Sequence, residues 1–258
     1  PYVISVVDPQ RDLVEPAVNG TRSVLEACRK AATVKRVVIT SSFAAMTDEP
    51  TGRYDEQIWN QTSRLDRNAY YYSKTLAERT AWDFVSNTAG FELISINPAL
   101  VIGPSIVPSL NESNQVLADL TNGRFPGILS LRWGLVDIRD VAIAHRLAIE
   151  TDAASGRYLC TAGVWSMRQV VEVARASDLG LGRLASIPLD NVFGDILVKL
   201  GATLQSSGAR SYLRSHIGRR YEIDTTRIRT ELGIEFRSVE ASIIEAYWDL
   251  RRWGHVTV

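Results

Sequence analysis

Two side chains capable of acid–base chemistry stand four residues apart in the run Tyr70-Tyr71-Tyr72-Ser73-Lys74. The segment from Asn68 to Phe84 reads as a helix, where residues four apart share one face. Tyr70 and Lys74 therefore present a phenol and an ammonium to the same side. A free phenol, with a pKa of about 10, exchanges protons poorly at neutral pH. A neighbouring cation favours the phenolate and is expected to bring the group toward the range useful for general acid–base work. Tyr71 and Tyr72 have only Thr75 and Leu76 four residues on.

The elements that must position this pair alternate. Tyr2 to Val7 is short, β-branched and apolar, as a buried parallel strand is. Asp8 and Pro9 are expected to start a helix. Its apolar positions run from Leu13 through Val18 and Leu25 to Cys28, with Pro16 near its beginning. Val34 to Ser42 is a second strand, ending in hydroxyls. A polar loop leads to the Tyr70 helix, and Phe91 to Asn97 is a third strand closed by Pro98. Strands alternating with helices of this length argue a parallel sheet covered on both faces. Ligands of such sheets bind outside the carboxyl ends of the strands, where Ser42 and Pro98 fall.

Beyond Pro104 the pattern changes. A helix is expected around Gln115 to Thr121, a strand over Trp133 to Ile138 and a helix from Arg139 through Ile149. A strand at Arg157 to Cys160 follows, then helices at Met167 to Ala176, Thr225 to Leu232 and Val239 to Trp253. Gly180-Leu181-Gly182 reads as a loop. Asp137, Arg139 and Asp140 read as a helix cap with an ion pair.

Lys and Arg balance Asp and Glu at 29 each among 258 residues. This gives no electrostatic reason to expect nucleic acid or an anionic membrane as partner. No apolar run approaches the ~20 residues that cross a bilayer. His145, His216 and His255 lack metal spacing and read as structural, so no metal site is expected. Cys28 and Cys160 read as buried thiols in a reducing cytosol. The chain opens on Pro1 directly into a strand-like run, and is expected to be a fragment.

Taken together, several segments resemble the extended short-chain dehydrogenase/reductases, the NAD-dependent epimerase/dehydratase family. The likeness is to the branch of dihydroflavonol and cinnamoyl-CoA reductases. They are Pro16 to Thr21, Thr40-Ser41-Ser42, Tyr70 to Phe84, Asn97 to Pro104, Val136 to Ala142, Gly156 to Cys160 and Glu231 to Phe236. The resemblance implies an α/β, Rossmann-like doubly wound parallel sheet, truncated at its N-terminus, with a smaller, mostly helical substrate-binding annex. Residues 1–104 would form a partial dinucleotide-binding domain, and 105–258 a mixed region of cap and segments returning to the sheet.

The implied activity is NAD(P)H-dependent reduction of an aldehyde or ketone, a small-molecule carbonyl, with NADP(H) expected ahead of NAD(H). Tyr70 would give the proton, Lys74 would lower its pKa and bind the nicotinamide ribose, and Ser42 would hold the carbonyl oxygen. Pro98, Ala99, Leu100 and Val101 would line the nicotinamide, and Ser113 would contact the cofactor. Asn19 would support a water network. The alternatives are a nucleotide-sugar epimerase or dehydratase, or a truncated, non-catalytic fragment. Family members carry a GxxGxxG turn that cradles the pyrophosphate; none of the 17 glycines here has that spacing.

Overall fold

The computed structural model describes residues 6–88, 90–177 and 179–256. The expected first strand lies outside the described residues except for Val6 and Val7, which are not in a strand. The helix after Asp8 forms with an irregular start. Asp8 Oδ1 accepts the Arg11 N–H at 3.2 Å. Gln10–Val14 winds as a π-helix before α1 (Glu15–Ala31). Pro16 accounts for the wide turn, since it lacks an N–H and its ring crowds the carbonyl four residues back.

Thereafter come β1 (Arg36–Thr40), β2 (Gly52–Tyr54), α2 (Ala69–Ser86), β3 (Glu92–Pro98), β4 (Leu100–Ile102) and α3 (Glu112–Thr121). They are followed by β5 (Ile128–Leu129), β6 (Arg132–Asp137), α4 (Ile138–Glu150), β7 (Gly156–Cys160), β8 (Gly163–Ser166) and α5 (Met167–Ala176). The remainder holds β9 (Pro188–Leu189), α6 (Val192–Gly201), α7 (Ser207–His216), β10 (Tyr221–Ile223), α8 (Thr226–Glu231) and α9 (Val239–Arg252). Strands β1, β3 and β7 form a parallel sheet in the order β1-β3-β7.

Alternation along these strands sorts their side chains. Val38, Ile94, Ile96 and Tyr158 pack with Val141, Ala144 and Ala148 of α4 on one face. Val37, Ile39 and Leu93 pack with Leu25 of α1 and Ala81 of α2 on the other. The second face turns polar toward the carboxyl ends of the strands. There Ser41, Ser95, Asn97 and Arg157 take the positions that continue the apolar rows, and all are buried.

A second sheet, β4-β6-β8, carries the helical annex, whose core gathers Leu117, Leu120, Leu135, Met167, Val170, Ile243 and Tyr247. Gly134 lets the turn after β3 lie against β6, since a Cβ there would stand 2.7 Å from Ala99 Cβ. Two-stranded pairings join β10 to β2 and β5 to β9. The short strands β2, β5, β8, β9 and β10 were not expected; at two to four residues they carry no readable period. No described helix is long and apolar enough to cross a membrane.

Candidate active site

At the start of α2 the chain is forced into an uncommon conformation. Asn68, the N-cap, has φ 52° and ψ 52°, a left-handed geometry that asparagine tolerates better than most residues. Its side-chain amide donates to Asp48 Oδ2 at 2.9 Å and to Ser215 Oγ at 3.1 Å. Asp48 is fully buried and also accepts from Arg67 Nε at 3.0 Å and from the Thr62 hydroxyl. The loop before α2 and the end of α7 thus fix the angle at which Tyr70 enters.

On α2 the Tyr70 hydroxyl hydrogen-bonds the Ser42 side chain. Ser42 ends the strand segment and caps a 3-10 turn, Phe43–Ala45, accepting the Ala44 N–H at 3.1 Å. Lys74 Nζ lies over the Tyr70 ring, 5.9 Å from its centroid. The three residues Ser42, Tyr70 and Lys74, 32 positions apart at the extremes, therefore form one group.

The electrostatics correct one expectation. Burial pushes the Tyr70 phenol up to about 12, with the Ser42 hydrogen bond pulling it back. Burial likewise pushes the Lys74 ammonium down, against the attraction of Glu78. Desolvation thus sets the direction of the shift, and the cation that was expected to make the phenol more acidic does not. Such a phenol keeps its proton. It can still give it to an alkoxide, whose conjugate acid is about as weak an acid as water and weaker than the phenol.

Of the remaining expected residues, Pro98 ends β3 beside Asn97, whose amide Nδ2 donates to the Ser42 carbonyl at 3.3 Å. The Ala99 N–H is engaged by the Cys160 carbonyl at 3.2 Å. Leu100 and Val101 pair with Leu135 and Val136 of β6. Ser113 lies in the first turn of α3, whose Asn114 Nδ2 donates to the Gly103 carbonyl at 3.3 Å. Among the described residues no hydrogen bond joins Ser113 to the Tyr70 group. Asn19 is exposed on α1.

Several residues around the site were missed. The Tyr71 hydroxyl meets His216 Nε2 at 3.1 Å, a partner 145 residues away that no helical spacing could show. The His216 ring stacks on Tyr212 at 4.1 Å between centroids, and burial pushes its pKa down to about 4. Glu78, one turn beyond Lys74, is a 1% exposed carboxylate. It accepts from Ser41, Asn97, Trp82 and Arg157. Its i+8 position from Tyr70 placed it on the same helix side; a buried partner 79 residues away at Arg157 is what the sequence concealed. No group of three His, Cys, Asp or Glu able to hold a metal occurs among the described residues.

A parallel sheet packed by helices on both faces, with a serine, a tyrosine and a lysine gathered at its carboxyl ends, is an α/β fold of the Rossmann type. The chain belongs to the NAD dependent epimerase/dehydratase family, whose model matches residues 5–160. It is 39% identical to cinnamoyl-CoA reductase CAD2 of Medicago truncatula over 68% of this chain and 55% of that protein. It is 31% identical to tetraketide alpha-pyrone reductase 1 of Arabidopsis thaliana over 100% of this chain and 72% of that one. The fold is similar to the crystal structure of yeast methylglyoxal/isovaleraldehyde reductase Gre2 complexed with NADPH. That match has a TM-score of 0.76 and 25% identity, and covers 99% of this chain and 75% of Gre2. The chain thus spans little more than half the length of the first of these relatives.

Proposed function

We propose that this chain carries the proton-transfer site of an NADP(H)-dependent reductase that converts a small aldehyde or ketone to an alcohol. The observation that carries the reading is the Ser42–Tyr70 hydrogen bond with Lys74 against the same ring. Ser42 holds the carbonyl oxygen of the substrate. Tyr70, protonated at rest, donates its Oη proton to that oxygen as negative charge develops there. Lys74 then stabilises the phenolate left behind.

The reduced nicotinamide supplies the hydride when bound. The residues that fit its ribose and ring are Lys74, Tyr70 and the Pro98–Ala99–Leu100–Val101 segment, with Ser113 as a further contact. The pyrophosphate end has no glycine-rich turn in this sequence, so these residues account for the nicotinamide half alone. In this reading residues 1–104 are the cofactor-facing part, and 105–258 combine the substrate cap with strands that return to the sheet. Support for NADP(H) comes from the NADPH bound to Gre2, and for a carbonyl substrate from the reductases among the relatives.

The test is a titration with NADPH, followed by turnover of simple aldehydes and ketones by the chain and its Tyr70→Phe variant. The reading expects turnover in the parent and its loss in the variant with folding intact. Near-normal kcat in Tyr70→Phe removes it.

A further inference from the structure

The proposed proton transfer uses Ser42, Tyr70 and Lys74, and leaves unexplained a heavily bonded buried carboxylate near them. Glu78 Oε2 accepts from Ser41 Oγ at 2.5 Å and from Asn97 Nδ2 at 2.7 Å. Its Oε1 accepts from Arg157 Nε at 2.6 Å and from Trp82 Nε1 at 3.3 Å. These donors come from the end of β1, from β3, from β7 and from α2 itself. Arg157 is in turn held by the Glu56 and Ile58 carbonyls, both at 2.8 Å, and its guanidinium lies 3.8 Å from the Trp59 ring centroid.

Packing alone does not call for such a group. Desolvating a carboxylate and a guanidinium costs several kcal/mol, and apolar side chains of similar volume often stabilise a core at least as well. What a carboxylate supplies and a leucine does not is direction. Two of its bonds end beside a working residue. Ser41 precedes Ser42 and Asn97 precedes Pro98, while Lys74 is one turn away on the same helix. Asn97 Nδ2 is shared between Glu78 and the Ser42 carbonyl, so the peptide carrying Ser42 is held on both sides.

We infer that Glu78 is a positioning residue that fixes the Ser42 hydroxyl against Tyr70 through its bonds to Ser41 and Asn97. This rests on the function proposed above. It assigns Glu78 no contact with substrate or cofactor. Its effect falls on kcat, because the Ser42–Tyr70 distance matters once the carbonyl oxygen is charged, and an ångström of misplacement costs about 100-fold.

The experiment compares the full chain with Glu78→Gln, Ser41→Ala and Tyr70→Phe. Turnover is measured with NADPH and an aldehyde. The Tyr70 13Cζ resonance of tyrosine-labelled protein, assigned by its loss in Tyr70→Phe, reports the hydroxyl's hydrogen bond without any turnover. Glu78→Gln is expected to lower kcat about 100-fold with KM changed less than about threefold. Ser41→Ala, which leaves every charge in place, is expected to lower kcat about tenfold. Both are expected to move the Tyr70 resonance. If Glu78→Gln fails to fold, Ser41→Ala decides alone. A folded Ser41→Ala with the Tyr70 resonance unmoved, or with parental kcat, overturns the inference. Where Tyr70→Phe is inactive and Ser41→Ala is not impaired, only the positioning role falls. Where Tyr70→Phe turns over normally, the functional reading falls first.

Discussion

Helices α1 and α2 are almost equal in length, 17 and 18 residues, and pack against each other on one face of the parallel sheet. Both join one apolar cluster, through Leu25 of α1 and through Ala81, Trp82, Phe84 and Val85 of α2, but their buried side chains differ. Leu25 is the buried side chain of α1, and its charges form surface pairs such as Arg29 with Glu26, 44% and 34% exposed. The buried side chains of α2 are Ser73, Thr75, Glu78 and Ala81, three of them polar and each of those hydrogen-bonded. Apolar burial is non-directional and tolerates small slips. Hydrogen bonds to a buried charge fix a helix in register and rotation, because a misplaced donor leaves its partner unsatisfied. The helix bearing Tyr70 and Lys74 adds the second kind of contact at Glu78, since Ser73 and Thr75 bond carbonyls of α2 itself.

The largest expected effect breaks this comparison on chemistry. Tyr70→Phe should lower kcat by at least about 100-fold, while Ser23→Ala on the exposed side of α1 should leave it unchanged; both are read from initial rates with NADPH and an aldehyde. Arg157→Ala comes next. It strands a 1% exposed carboxylate and should cost about 3–5 kcal/mol in urea unfolding. On the α1 side the greatest loss available is Leu25→Ala, about 2–4 kcal/mol. If Arg157→Ala proves the milder of the two, the polar attachment of α2 is not what holds it.

Much of the fold was legible because its long elements obey one period each. Met167–Ala176 forms the helix expected there, as its 3.6-residue apolar rhythm and Ser166 cap dictate. Asp137 caps α4 through the Arg139 N–H at 2.8 Å, as its position before that helix required. The pairing of β2 with β10 was not legible, because Gly52–Tyr54 and Tyr221–Ile223 are each too short to show alternation and their contact spans 169 positions. At the site, the Tyr70/Lys74 spacing announced itself on one helix. Glu78 and Arg157, and likewise Tyr71 and His216, did not, since each pair is made only by the tertiary fold. The direction of the Tyr70 shift was misjudged for the same reason: spacing reveals a neighbouring charge, and burial must be seen.

The smallest effect sharpens the contrast through pH. His216 belongs to α7 and clasps α2 through Tyr71; α1 carries no histidine. Burial, partly offset by the Tyr212 carbonyl and by the charges of Asp48 and Glu49, holds the His216 pKa down at about 4. Unfolded, it would titrate near 6.5. The unfolded chain therefore binds the proton first, and stability must fall as pH falls through this window. The contribution is complete above about pH 6.5 and is lost progressively toward pH 4. Between pH 7.5 and 5.5 the loss should be roughly 1 kcal/mol in urea midpoints. His216→Phe should remove that part of the slope, even though it also leaves the Tyr71 hydroxyl without its imidazole and lowers stability at every pH. A slope identical in parent and variant would mean that the imidazole is as accessible to protons folded as unfolded, and that the clasp on α2 is looser than its bond to Tyr71 implies.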